Sequence, residues 1–89
     1  MNALRAVVIG RVQGVGFRFF AERAARELGV RGWVRNLPDG SVETLAEGDE
    51  ASVRRYIERL RQGPRLSRVE AVEVVEVSAE GSRTFEITG

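Results

Sequence analysis

Two segments of this chain repeat apolar residues at the period of a helix, and each lies between segments that alternate like strands. That order limits the fold more than any other feature. Phe17, Phe20, Ala21, Ala24, Ala25 and Leu28 fall at i, i+3, i+4, i+7, i+8 and i+11, one stripe along a helix. Val53, Tyr56, Ile57 and Leu60 form the second stripe. Glu22 and Arg26 can pair across one turn of the first helix, and Gly29 stands where a helix-ending glycine belongs. Asp49 is placed to cap the second helix, and Gly63-Pro64 stops it.

The flanking segments read as strands. Residues 4–12 are apolar on both faces, with Ala6 and Val8 alternating against Val7 and Ile9, as in a central strand; Gly10 is read as its end. In residues 30–37, Val30, Gly32, Val34 and Asn36 share one face, and Arg31, Trp33, Arg35 and Leu37 the other. Pro38-Asp39-Gly40 is turn chemistry, and residues 41–47 return antiparallel. Residues 69–77 alternate as a fourth strand, Gly81-Ser82 marks a turn, and 84–88 make a short last strand. The order β-α-β-β-α-β predicts an α+β, ferredoxin-like sandwich: an antiparallel sheet, two helices on one face, and a short C-terminal strand. The right-handed crossover rule places the first and third strands together in the middle. Eighty-nine residues predict a single domain, 1–89.

Composition narrows the chemistry. All 14 basic residues are arginine, against 13 acidic ones, for a net charge of +1 with no histidine and no cysteine. No imidazole or thiolate is available as base, nucleophile or metal ligand, and no lysine can form a Schiff base. Clustered carboxylates at loop spacing are lacking, so no metal and no cofactor are expected. The balanced charge argues against a strong nucleic-acid binder. Absence of cysteine, of a long apolar segment and of a signal peptide favours a cytoplasmic location and a monomer is expected.

The stretch Gly10-Arg11-Val12-Gln13-Gly14-Val15-Gly16-Phe17-Arg18 joins the first strand to the first helix. Glycines there let the backbone alternate in hand and turn successive N–H groups inward, forming a cup for an anion, to which the helix N-terminus adds its own. Arg18 falls in the first helical turn, where a cation opposes the helix dipole. An anion between it and the amides would make sense of it; a tight strand–helix corner with a solvated arginine is the plainer alternative. The dinucleotide fingerprint fails at Phe19, and the Walker pattern fails for want of lysine. Asn36 is a poor strand former just ahead of a turn: a turn-flanking residue, or an amide held near the cup.

Val8 to Arg18 resembles the first signature of the acylphosphatases, and Gly32-Trp33-Val34-Arg35-Asn36 with Gly40-Ser41-Val42 and Gly48 resembles the second. The likeness extends over the whole chain. It implies that Gln13, Gly14, Val15, Gly16, Phe17 and Arg18 cradle the substrate phosphate, that Arg18 is the catalytic arginine, and that Asn36 orients the attacking water. It also implies metal-independent hydrolysis of acyl phosphates such as acetyl phosphate, carbamoyl phosphate or 1,3-bisphosphoglycerate to carboxylate and phosphate. Phe19 interrupts the outward face of the first helix, and a wall for the acyl group is one reading of it. Two further functions fit parts of the sequence: a phosphate- or carbamoyl-phosphate-binding module without turnover, and an RNA-binding domain using the aromatic strand RGWVRNL and the arginines 54, 55, 59, 61, 65 and 68.

Overall fold

The computed structural model describes residues 2–89. Its elements are β1 (Asn2–Arg11), α1 (Phe17–Leu28), β2 (Arg31–Asn36), β3 (Val42–Gly48), α2 (Glu50–Gln62), β4 (Arg68–Glu76) and β5 (Phe85–Ile87). The strands form one sheet in the order β4-β1-β3-β2-β5, so β1 and β3 are central neighbours as the crossover rule requires. The pairs β1–β3, β1–β4 and β2–β3 are antiparallel. The short β5 adds parallel to β2, which makes the five-stranded sheet mixed.

Both stripes are buried where the periodicity puts them. Phe17, Ala21, Ala24 and Ala25 of α1, and Val53, Tyr56, Ile57 and Leu60 of α2, pack on Ala6, Val8, Val34, Val42 and Ala46 of the sheet. Tyr56 is fully buried, and its hydroxyl lies 2.8 Å from Thr44 Oγ1. Thr44 spends its one proton on the Trp33 carbonyl at 2.7 Å, so the tyrosine is the donor in that pair. Burial pushes the Tyr56 phenol well above its ordinary range, with the bond to Thr44 acting weakly the other way.

Gly10 lies inside β1, not at its end. Opposite it, β4 carries one extra residue: Ile9 faces Ala71 and Gly10 faces Val69, which leaves Glu70 unpaired in a bulge. The β4 backbone comes so close that a Cβ on Gly10 would stand 2.1 Å from the Arg68 carbonyl oxygen.

The sheet face away from the helices holds two buried carboxylates. Glu43 accepts from Arg5 Nη1 at 2.5 Å and from Arg35 Nε at 2.7 Å. Glu47 has no exposed surface, and it accepts from the amides of Glu80 and Ser82 in the segment that carries the chain from β4 across to β5. The predicted Glu22–Arg26 pair forms at 3.3 Å, and Arg54, Arg59 and Arg61 pair with Glu50, Glu27 and Glu58.

For Glu43, burial raises the carboxyl pKa, but the hydrogen bonds from Arg35 and Arg5 outweigh it and hold the group below the ordinary carboxylate range. A depressed folded-state pKa gives stability that is present above the unfolded value, about 4.3, and lost as pH falls through the folded value. Glu43→Gln is therefore expected to melt below the parent at pH 7, with the gap closing as pH drops from about 5 toward 3. Thermal unfolding of both proteins across that range checks this; a gap independent of pH would show that the ion cluster does not carry the effect.

Candidate active site

The two helices begin in opposite ways. At α2, Asp49 caps the helix by accepting from the Ser52 amide at 3.2 Å, and Glu50 complements the dipole in the first turn. At α1 the capping position is Gly16, no side chain caps the first turn, and no acidic residue stands in it. The dipole there faces a half-exposed arginine, Arg18, instead.

The loop ahead of α1 takes the alternating form the glycine spacing suggests. Gly14 and Gly16 have φ of 74° and 78°, while Val15 between them keeps negative φ. A Cβ at either glycine would meet nothing within 4 Å, so glycine is needed for backbone conformation and not for room. Mixed handedness of this kind turns neighbouring N–H groups toward one point. Among the described residues no carbonyl or side-chain oxygen accepts from the amides of residues 13–19; the first helical bond is Phe20 N–H to the Gly16 carbonyl at 3.0 Å.

The loop is anchored on both sides of this cup. Phe17 is 2% exposed, with its ring 6.0 Å from that of Phe20. Val15 packs its side chain against the core. Gln13 turns its side chain away and donates from Nε2 to the carbonyls of Leu37 and Ser41, each at 2.8 Å. Of the expected phosphate cradle, Gln13, Val15 and Phe17 thus commit their side chains to holding the loop, and what they can offer an anion is backbone N–H. The two Gln13 bonds also tie the loop to the β2–β3 turn, immediately beyond Asn36.

Asn36 ends β2 in register with Val42 of β3, on the helix-covered face shared with Val34. Its amide makes no hydrogen bond to any described residue, and Oδ1 is buried without a partner. A buried acceptor left unpaired costs about 1–3 kcal/mol, so the side chain is set up for a partner that the chain does not provide. The guanidinium of Arg18 pairs with no acidic side chain among the described residues; its one hydrogen bond there is long, 3.4 Å from Nη1 to the backbone oxygen of Gly89. Spacing alone could not have revealed either the Gln13 clamp or the Gly89 contact, which join residues far apart in sequence.

These groups meet in one cleft of about 210 Å³, where Gly14, Gly16, Arg18, Phe19 and Asn36 stand over a floor that includes Val12 and Phe17. A larger cleft of about 550 Å³ lies between the start of β1, α2 and the end of β4. Its one arginine, Arg54, is already paired with Glu50 at 3.0 Å, and Glu76 adds further negative charge. Of these two clefts, the smaller one is where an anionic ligand finds a cation not paired with an acidic side chain, Arg18.

The acylphosphatase family model matches residues 4–87. An acylphosphatase of Thermus thermophilus is 51% identical over 87 residues, 98% of this chain and 99% of that protein. The crystal structure of acylphosphatase from Bacillus subtilis superposes with a TM-score of 0.97 at 42% identity and full coverage of both chains. T. kodakarensis HypF is similar in one part: 38% identity and a TM-score of 0.88 over all of this chain, but only 12% of that one. A family model over nearly the whole chain and a relative of this identity settle the family: the chain is a member of the acylphosphatase family.

Proposed function

We propose that the protein hydrolyses small acyl phosphates to a carboxylate and phosphate, with the amides of Gln13 to Arg18 and the Arg18 guanidinium holding the phosphoryl oxygens and Asn36 holding the water. One observation carries this reading: a cation paired with no acidic side chain, a cup of unpaired amides and an unpartnered amide side chain share a single cleft. The leaving group is a carboxylate whose acid has a pKa of roughly 4–5, so it departs without a general acid. Phosphoryl transfer depends on positioning and on neutralising charge at the transferring oxygens, which donors fixed beforehand supply. The water oxygen bonds to phosphorus as the acyl–oxygen bond to phosphorus breaks; the electron pair leaves with the carboxylate, and the water proton passes to a phosphate oxygen. No step calls for a metal, a cofactor or an imidazole.

The same reading has the protein acting as a monomer in the cytoplasm on small molecules and not on nucleic acid. The near-neutral charge, and the ion pairs that occupy three of the arginines on α2, support the last of these, that it does not act on nucleic acid.

The test is release of phosphate from acetyl and benzoyl phosphate in the presence of a chelator, with 4-nitrophenyl phosphate as an unactivated ester. Turnover of both acyl phosphates, competitive inhibition by orthophosphate and no turnover of the ester are expected. Orthophosphate binding without hydrolysis would favour instead a binding module without turnover, a reading that the likeness to one segment of HypF keeps in view.

A further inference from the structure

Phe19 is the least explained residue of the cleft. It is 69% exposed, in a helix whose other phenylalanines, Phe17 and Phe20, lie on the buried stripe. It sits next to Arg18 and lines the same cleft as Arg18 and Asn36. The cleft's single charged side chain is Arg18, which the phosphoryl group takes. Beside Arg18 the lining offers the exposed aromatic surface of Phe19 and no second cation that could recognise a carboxylate or a second phosphate.

We infer that Phe19 sets acyl-group specificity, stacking planar or bulky apolar acyl groups, aroyl above all, and giving nothing to acyl groups that carry further charge. This rests on the hydrolytic reading above. An aromatic acyl group placed on an exposed ring gains contact that an acetyl group is too small to make. The preference belongs to binding along the whole reaction path, so it is read in kcat/KM.

The experiment compares kcat/KM for benzoyl and acetyl phosphate in the parent, Phe19→Ala, Phe19→Leu and Phe19→Trp. The benzoyl-to-acetyl ratio is expected to fall by about ten-fold in Phe19→Ala, to fall less in Phe19→Leu, and to be kept in Phe19→Trp. Phe19 lies off the buried stripe, so the variants are expected to fold, and their circular dichroism and melting curves establish that they do. A ratio in folded Phe19→Ala equal to that of the parent would overturn the inference while leaving the hydrolytic reading intact. A parent enzyme inert toward both substrates would overturn that reading itself, and this inference with it.

Discussion

Arg18→Ala is expected to lose activity without losing stability. On the reading proposed here the guanidinium is the only side-chain cation the phosphoryl group meets, and its planar fork matches two phosphoryl oxygens at once. Removing one preorganised donor to a developing charge typically costs 10²–10³ in rate, and here the donor is also the charge. The expected loss in kcat/KM is about 10³-fold or more, close to 4 kcal/mol of transition-state stabilisation. Arg18→Lys keeps a point charge without the fork and is expected to recover only part of that loss. Stability is not expected to follow. Arg18 stands in an uncapped first turn with no acidic side chain paired to it, against the positive end of the α1 dipole. Its removal relieves a repulsion of about 0.3–1 kcal/mol, so the melting temperature is expected to hold or rise slightly. Steady-state kinetics and a melting curve on the same preparation decide the matter. An active Arg18→Ala, or an inactive one that has also unfolded, would contradict the assignment.

Asn36→Ala is expected to split the kinetic constants. If the amide holds the water and not the phosphate, its loss falls on kcat, by about 10²-fold, with KM and orthophosphate inhibition changed little. Asn36→Asp is expected to be worse on both counts, because a carboxylate beside the cup repels the phosphoryl group. Asn36→Ala is not expected to destabilise the fold much, because the amide makes no bond to the described residues and its buried oxygen is unpaired. Asn36→Ala with the parent's kcat would exclude the water-holding role, and a matched rise in KM and in the orthophosphate inhibition constant would turn Asn36 into a phosphate ligand.

What could be read in the sequence, and what could not, follows from the range of the interactions. The helices α1 and α2 were legible because a stripe such as Val53, Tyr56, Ile57 and Leu60 is a local pattern with one physical cause. The alternating backbone of the loop was legible because Gly14 and Gly16 mark positions that need positive φ, and Arg18 breaks the usual charge preference of a first turn. Asn36 was legible as an anomaly of strand composition, though only the fold puts it beside Arg18. Three features were out of reach. Gly10 looks like a strand end, and only the β4 partner shows it inside a bulge. Glu43 and Glu47 look like surface charges, and their burial depends on Arg5, Arg35 and the segment near Glu80 and Ser82. The three residues of β5 are too few to carry a pattern, so their parallel pairing with β2 comes from topology alone.

The claim beneath all of this is that the loop between β1 and α1 is a ready-made oxyanion receptor completed by Arg18. Titration of orthophosphate into the isotopically labelled protein, followed at each backbone amide by NMR, tests it directly. Saturable shifts concentrated at the amides of residues 13–19 are expected, with weaker binding in Arg18→Ala. Phosphate that inhibits hydrolysis yet leaves those amides unmoved, or that shifts instead the residues around Glu50 and Arg54, would contradict it.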